Sequence, residues 1–346
     1  MQGLVTVVGG TGFVGRYVVR ALAREGWRVR VAARNPGAAP ELKVMGEVGQ
    51  IEFASANLRD PRRVALAVAD ATAVVNLVGV LQESGAQRFD ALQAEGAGRL
   101  AQAAAEAGVK RFVQISAIGA DARSASAYAR TKAEGEARVR AAFPAATVLR
   151  PSIVFGPEDD FFNRFGRMAV LSPALPLIGG GKTRMQPVYA GDVGSAVAAA
   201  LVRDDAAGRT YELGGPAVET FRDLMQLLLD ETGRRRALVP VPFPVAGMMG
   251  KAGDLVAAFG LKAPITADQV ELLKRDNVVD PACPGLRDLG VEPTAIEAVL
   301  PTYLWTYRSG GQFAQPGGSN AADPEGSPRR PEANTGLHET GANKSV

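Results

Sequence analysis

Residues 4–15 read LVTVVGGTGFVG, and this stretch decides the fold of the 346-residue chain. Leu4–Val8 is a run of apolar and β-branched residues, which predicts a buried strand. Gly9, Gly12 and Gly15 follow with GxxGxxG spacing and open an amphipathic helical pattern. In such a turn the first glycine permits the sharp bend, the second lets the backbone approach a diphosphate, and the third lets the helix pack against the sheet. Because amide groups at a helix start attract anions, the stretch predicts a dinucleotide site.

The first 150 residues alternate β-rich runs with helical patterns. Strands are predicted at 4–8, 28–33, 51–54, 73–77 and 111–116, with a sixth that ends at 148–149, and helices at 13–25, 60–70, 86–107 and 124–142. This alternation implies a parallel sheet covered by helices on both faces. The sequence therefore predicts an α/β, doubly wound (Rossmann) domain over residues 1–150, with its ligand at the carboxyl ends of the strands.

After residue 150 the pattern becomes less regular, and glycine and proline are frequent. Helices are predicted at 191–202 and 220–231, and a short strand at 211–213. We expect residues 151–308 to form a smaller substrate-side lobe, with some elements returning to the sheet. Residues 309–346 are rich in Gly, Pro, Asn, Ser and charge, which predicts a disordered tail.

Composition argues against several classes of function. The formal net charge is only +3, and the basic residues are spread along the chain, so nucleic-acid binding is not predicted. Cys283 is the only cysteine and His338 the only histidine, so a zinc site and an internal disulfide lack their residues. No apolar stretch reaches the roughly 20 residues of a membrane-spanning helix, and no signal-peptide pattern is present. We expect a cytoplasmic location, in solution or peripheral on the cytoplasmic face of the inner membrane.

Charge at the end of the second predicted strand favours NADP(H) over NAD(H). NAD sites place Asp or Glu there, to accept hydrogen bonds from the ribose 2′-hydroxyl. Here the strand ends in Arg34 and Asn35, and Arg16 follows the third glycine. Guanidinium groups pair well with phosphate, so Arg34 and Arg16 are predicted to contact a 2′-phosphate. The alternative is that Arg34 stacks on the adenine or faces solvent.

Further cofactor contacts are predicted from chain order. Asn57 and Leu58, after the third strand, are expected at the adenine, and residues 77–79, after the fourth, at the nicotinamide ribose. The complete predicted cofactor set is Gly9, Thr11, Gly12, Phe13, Val14, Gly15, Arg16, Arg34, Asn57, Leu58, Leu77, Val78, Gly79, Lys132, Pro151 and Ile153.

Tyr128 and Lys132 form a YxxxK pattern, which places both side chains on one face of a predicted helix. An ammonium group lowers the pKa of a nearby phenol from its usual value of about 10. We therefore expect Tyr128 to exchange a proton with a substrate carbonyl or hydroxyl while hydride moves at the nicotinamide, with Lys132 also holding the ribose. Ser116 is the predicted hydroxyl that orients the substrate oxygen, although a shift of one residue would put Ala117 there. The alternative for YxxxK is an ordinary surface helix.

Together these motifs resemble the short-chain dehydrogenase/reductase superfamily in its extended or atypical branch. The strand followed by GGTGFVG, the YARTK of residues 128–132, and Arg150-Pro151 carry that resemblance. A narrower set of segments is similar to the nucleotide-binding accessory subunit family of respiratory complex I (NADH:ubiquinone oxidoreductase) and its bacterial relatives. The likeness covers residues 4–305, and the segments that carry it are LRPSIVFGPED (149–159), FFNRF (161–165), QPVY (186–189), DV (192–193) and the apolar, proline-bearing residues 239–247.

The narrower resemblance implies a tightly held, structural NADPH and association with complex I subunits, and related members have been linked to quinone metabolism. The apolar segment 243–260 is expected to dock to a partner or to lipid headgroups, or else to cap the substrate pocket. The alternative function is a soluble NAD(P)-dependent epimerase/dehydratase or reductase, using the Tyr128–Lys132 pair on a sugar-nucleotide, quinone-like or small carbonyl substrate. The sequence leaves the oligomeric state open.

Overall fold

The computed structural model of the chain describes residues 2–83, 85, 87–258 and 265–313. Most of the predicted tail, from residue 314 onward, and the end of the predicted apolar segment, residues 259–260, lie outside the described residues. The described strands are β1 Leu4–Val8, β2 Arg28–Ala33, β3 Ile51–Ser55, β4 Ala73–Asn76, β5 Arg111–Ile115, β6 Thr147–Pro151, β7 Val154–Phe155, β8 Ala174–Ile178, β9 Arg184–Met185, β10 Val188–Tyr189, β11 Thr210–Leu213, β12 Glu219–Thr220 and β13 Ala237–Val241.

In the first half of the chain, the described helices alternate with the strands as predicted. They are α1 Phe13–Arg24, α2 Pro61–Val68, α3 Glu95–Glu106, α4 Ala127–Ala142, α5 Phe161–Leu171, α6 Ala190–Val202, α7 Phe221–Thr232, α8 Phe243–Ala258, α9 Ala267–Leu272, α10 Ile296–Val299 and α11 Pro301–Leu304. The predicted helix over 86–107 is interrupted, because a π-helical turn, Asp90–Ala94, precedes α3. Such turns often occur at functional sites.

Seven strands form a parallel sheet of order β11-β6-β5-β4-β1-β2-β3. This order confirms the predicted doubly wound α/β fold. The strand order reverses between β1 and β4, whose next connections leave in opposite directions. In open α/β sheets the crevice at this switch point, at the carboxyl ends of the strands, is where ligands bind. The glycine turn follows β1 and therefore lies at this crevice.

Helices cover both faces of the sheet. On one face the apolar sides of α1 and α6 bury the valines of β1 and β2, in a core that includes Val7, Val19 and Val197. On the other face α2, α3 and α4 pack over Val74 and Leu100. Full burial of each such side chain contributes about 1.5–3 kcal/mol to folding. The two cores hold the carboxyl edge of the sheet, and the turns that leave it, in fixed positions.

A third core lies in the second half of the chain and joins α5, α7 and the parallel pair β8–β13. Its members include Phe155, Phe162, Leu175 and Leu228. Two elements from the same half of the sequence return to the large sheet, because β11 pairs with β6 and α6 packs against α1. The second half is thus anchored to the large sheet, beside the crevice at the carboxyl ends of its strands.

Candidate functional site

The glycine turn has the geometry of a diphosphate cradle. Gly9 has φ +86°, in the left-handed region that favours glycine, and its amide donates to the Ala32 carbonyl at 2.9 Å. A Cβ on Gly15 would lie 2.5 Å from the Gly9 carbonyl oxygen, so α1 approaches the turn as closely as only glycine permits. Gly12 precedes α1, and in this fully described helix no side chain caps the amides of the first turn. Those amides remain available to an anion, as a dinucleotide diphosphate requires.

Both predicted phosphate-binding arginines lie at this edge of the sheet. Arg34 follows β2 and donates to the side-chain oxygen of Gln87 at 3.2 Å. Arg16, in the first turn of α1, forms a 2.9 Å ion pair with Glu41. These contacts are at least partly exposed. An incoming phosphate therefore competes with one neutral amide at Arg34 and with one carboxylate at Arg16.

The residues after β3 divide between surface and core. The Asn57 side chain accepts from the backbone amide of Arg59 at 3.1 Å, which shapes the turn out of the strand. Leu58 is buried, and a Cβ on Gly96 of α3 would lie 3.0 Å from its own Cβ. Leu58 therefore contributes to packing of the sheet against α3, and Asn57 is the more accessible of the two.

The turn after β4 links the glycine turn to Lys132. A Cβ on Gly9 would lie 3.3 Å from the backbone nitrogen of Val78, and the Leu77 amide donates to the Val8 carbonyl. Two residues on, a Cβ on exposed Gly79 would lie 3.1 Å from Lys132 Nζ. Residues 77–79 thus form a continuous edge from the diphosphate cradle to the predicted lysine. Glycine at position 79 leaves room beside the ammonium group for a ligand.

Tyr128 and Lys132 lie in the first two turns of α4, as their spacing requires. Lys132 Nζ lies 5.7 Å from the centroid of the Tyr128 ring and donates to the Ile115 carbonyl at 3.3 Å. The Tyr128 ring meets Phe89 edge-on, with 5.9 Å between ring centroids, and is half-buried. The structure therefore brings the tyrosine, the lysine and the end of β5 together on one side of the crevice.

The pKa values of the pair differ from the sequence-based expectation. Burial, and then the negative charge of Asp268, raise the pKa of Tyr128 to about 12. Burial lowers the pKa of Lys132 to about 8, although Glu136 opposes that shift. The prediction that Lys132 lowers the tyrosine pKa is therefore wrong for this structure. The physical reason is that burial and the negative charge of Asp268, in α9, both favour the neutral phenol.

Ser116 lies in a buried polar cluster below the pair. Its Oγ has no solvent access and no hydrogen-bond partner among the described residues. Glu136, of which 2% is exposed, accepts from the Arg150 guanidinium in two hydrogen bonds of 2.8 Å each. Burial opposes ionisation of Glu136, but the hydrogen bonds and the charge of Arg150 outweigh it and lower the pKa of that carboxyl. A substrate oxygen reaches Ser116 only if this cluster rearranges.

The last predicted cofactor residues lie at the junction between the sheet and the second half of the chain. Pro151 ends β6, is buried, and accepts from the amide of Ile118 at 3.1 Å. Ile153 is half-buried and packs against the third core, while its carbonyl accepts from Val188. Their position beside the end of β5 puts them at the same edge as Lys132.

Comparison with protein families gives this site its context. The model of the NAD dependent epimerase/dehydratase family matches residues 5–214, which is more than half of the chain. The chain belongs to the NAD-dependent epimerase/dehydratase family. The family is NAD dependent by its description, so the predicted pyridine-dinucleotide cofactor is confirmed at that level. The match runs from β1 past the end of β11 and includes the glycine turn and the Tyr128–Lys132 pair.

Individual relatives carry the names of both subunits and enzymes. An Arabidopsis thaliana relative, named NADH dehydrogenase (ubiquinone) 1 alpha subcomplex subunit 9, mitochondrial, is 37% identical over 320 residues, 90% of this chain and 80% of the relative. A Caulobacter vibrioides relative named ceramide reductase is 34% identical over 177 residues, 51% of this chain and 54% of that protein. The structure of Citrobacter sp. triphenylmethane reductase with NADP(H) shares the fold, with TM-score 0.66, 21% identity, and coverage of 85% of this chain and 97% of that chain. The resemblances predicted from the motifs are thereby confirmed.

Several polar residues of this family member escaped the sequence analysis. Asn76, fully buried, donates to Gln114 at 2.9 Å, and Gln114 donates to the same Ile115 carbonyl that Lys132 uses. Gln93, in the π-helical turn, is buried with its side-chain oxygen unpaired, and a Cβ on Gly79 would lie 4.0 Å from that oxygen. A polar residue inside an apolar strand, as at position 76, is the signal that would have found the first two. Asp268 gave no signal, since it lies far from α4 in sequence.

Two absences complete the description of this family member. Among residues 2–313, as far as they are described, no cluster of three His, Cys, Asp or Glu side chains is arranged to hold a metal ion. None of the helices in the described part of the chain has both the length and the apolarity to cross a bilayer.

Proposed function

We propose that this protein is an NADP(H)-binding accessory or assembly subunit of a complex I-type NADH:quinone oxidoreductase. The observation that carries the proposal is the 37% identity to a complex I subunit over 90% of this chain, which includes the second half as well as the sheet. Structural neighbours near 20% identity support the fold alone. A relative that matches both halves of the chain supports a shared role for the second half as well as for the dinucleotide crevice.

The arginines at the adenine end support NADP(H) as the ligand. β2 ends without a carboxylate, and within the described residues Arg34 pairs with the neutral Gln87 alone, so its charge is available to a 2′-phosphate. Hydrogen bonds to charged groups contribute about 1.5–3 kcal/mol, which corresponds to a preference of about 10- to 150-fold. Arg16 contributes less, because binding must displace Glu41.

The remaining residues define the path of the dinucleotide. The first-turn amides of α1 hold the diphosphate, and residues 77–79 lie along the nicotinamide half. Lys132, of which 6% is exposed, has its ammonium beside the opening at Gly79 and donates to ribose hydroxyls there. Deep enclosure of the lysine supports a cofactor that stays bound, because a buried ammonium gains most when a ligand supplies its missing partners.

The proposal is tested in two steps on the protein as it occurs in its cell. Denaturing the purified protein and identifying the released nucleotide should give NADPH or NADP in close to one equivalent, retained through prior dialysis. Affinity purification from detergent-solubilised membranes should recover subunits of complex I. Release of no pyridine nucleotide, or recovery of the protein with no complex I subunit in any membrane fraction, contradicts the corresponding half of the proposal.

A second candidate is a soluble NAD(P)-dependent reductase, epimerase or dehydratase acting on a quinone-like, sugar-nucleotide or small carbonyl substrate. The observation that favours it is the placement of Tyr128 beside Lys132, with the lysine 5.7 Å from the ring centroid. A bound dinucleotide would supply or accept hydride at its nicotinamide. Tyr128, with its pKa raised to about 12 by burial and Asp268, is protonated at neutral pH and serves as the general acid toward a carbonyl oxygen.

This second candidate has a direct test. Tyr128→Phe removes the acidic proton but keeps the ring against Phe89, so turnover of a carbonyl substrate should fall by two to four orders of magnitude, roughly the contribution of general acid catalysis. NADPH affinity should be unchanged. Turnover equal to that of the unaltered protein eliminates Tyr128 as the acid.

A further inference from the structure

The amino-terminal turn of α4, which carries Tyr128, is held by a carboxylate from another part of the chain. Asp268, in the first turn of α9, accepts hydrogen bonds from Ser126 Oγ at 2.8 Å, from the Ala127 amide at 2.6 Å and from the Tyr128 amide at 3.3 Å. Ser126 is the cap within the helix itself and accepts from the Ala129 amide. Two free amides of α4 are thus satisfied by a residue about 140 positions away in sequence.

A carboxylate at this place has two physical consequences. Negative charge at a helix start interacts favourably with the helix dipole, by up to about 2 kcal/mol when partly buried. Because one of the hydrogen bonds is donated by the backbone amide of Tyr128, the carboxylate also fixes the position of that residue's backbone beside the crevice. An aspartate outside the helix therefore determines both the position and the electrostatic surroundings of the tyrosine.

We propose that Asp268 is a positioning residue, which holds Tyr128 in place at the crevice and puts a negative charge near its phenol. This inference rests on the proposed function only in that Tyr128 is taken to face the nicotinamide. In the described part of the chain, the charged groups that act electrostatically on Tyr128 are Lys132, from α4 itself, and Asp268, from α9. Its neighbour from the π-helical turn side, Phe89, is uncharged. After burial, Asp268 is the main cause of the raised pKa of Tyr128.

A second contact ties the same two regions together. Arg275, just after α9, forms a 3.4 Å ion pair with Asp121, in the loop between β5 and α4. α9 is in turn packed against α8, because a Cβ on Gly250 would lie 2.7 Å from the Cα of Ala267. A movement of α8 and α9 would therefore displace Tyr128, because Asp268 links α9 to the start of α4. The position and the pKa of Tyr128 therefore depend on α8 and α9 as well as on Lys132.

The test follows the ionisation of Tyr128 directly. The protein is labelled with tyrosine carrying ¹³C at Cζ, and the Tyr128 resonance is identified as the one missing from Tyr128→Phe. In the full-length protein without added cofactor, Asp268→Asn should lower the Tyr128 pKa by about one unit, the size expected for loss of one nearby charge at a partly buried site. Asparagine offers one acceptor oxygen where the carboxylate offers two. Asp268→Glu, which keeps the charge, should restore most of the original value.

The matched control is Glu271→Gln. It removes a carboxylate from the same helix, one turn along, whose partner is Lys274 and not α4. It should leave the Tyr128 titration unchanged. Asp268→Ser serves as a second neutral variant that retains an acceptor for one amide.

Three results overturn the inference. One is an unchanged Tyr128 pKa in a folded neutral variant, and another is an equal shift in Glu271→Gln. The third is loss of the fold in both neutral variants, which would show that Asp268 serves folding alone. NADPH binding is measured separately by fluorescence, so failure of the cofactor assignment leaves this titration interpretable.

Discussion

Replacing Arg34 by Glu tests the basis of cofactor choice. Arg34 lies at the carboxyl end of β2, and its guanidinium donates to Gln87 at 3.2 Å in a largely exposed setting. Loss of a charge-assisted contact costs about 1.5–3 kcal/mol, and repulsion between Glu and a 2′-phosphate adds to it. NADPH should therefore bind at least about 10- to 150-fold more weakly to Arg34→Glu. NADH binding should hold or improve, because the new carboxylate accepts from the 2′-hydroxyl.

The assay is titration calorimetry with NADPH and NADH at two salt concentrations, since an exposed phosphate contact weakens as salt rises. Arg28→Gln is the matched control. Arg28 lies on the same strand at its opposite end, where its nearest carboxylate, Glu52, is 3.9 Å away. It should leave both affinities unchanged. Equal loss of NADPH and NADH affinity in Arg34→Glu, or no loss of either, would refute the assignment of Arg34 to the 2′-phosphate.

Two further predictions follow from the site. Burial lowers the folded-state pKa of Lys132 to about 8 from its usual value of 10.5, so its proton opposes folding at neutral pH by up to about 3 kcal/mol. Lys132→Met should therefore unfold at a higher temperature than the original protein at pH 7. The difference in unfolding temperature should shrink between pH 8 and 10.5, and it should be absent if Lys132 is solvated. The variant should also bind NADPH more weakly than the original protein. Gly250→Ala places a methyl 2.7 Å from the backbone of α9 and should destabilise the fold by about 1–3 kcal/mol, as measured by denaturant unfolding. It should also lower the Tyr128 pKa, as measured by ¹³C titration. Gly247→Ala, whose methyl has nothing within 4 Å, is its control and should show neither effect.

The parts of the fold that the sequence predicted are those with local signals. β1 and β2 have the bounds predicted for them, 4–8 and 28–33, and the glycine turn falls between β1 and α1. Tyr128 and Lys132 share a helix because spacing of four residues requires it. These features depend on periodicity and backbone sterics, both of which are readable within about ten residues.

The parts that escaped prediction depend on contacts between distant segments. The pKa of Tyr128 is raised, against expectation, by burial and by Asp268, which no pattern near α4 reveals. The burial of Ser116 against Glu136 depends on how α4 crosses the end of β5 and on the position of Arg150. Tertiary packing thus determines protonation and access at the site, while local sequence determines which residue types are present.

The central claim is that the first-turn amides of α1 hold the diphosphate of a pyridine dinucleotide. Gly12→Ala tests it, because φ −77° suits alanine and the added Cβ meets only the Gly9 carbonyl oxygen, at 3.3 Å, so the fold should persist while the methyl obstructs the cradle. The most direct measurement is phosphorus NMR of NADPH titrated with the protein. The diphosphate resonances should shift and broaden with the original protein and keep their free positions with Gly12→Ala. Identical resonances with both proteins, or free positions with the original one, would contradict the claim.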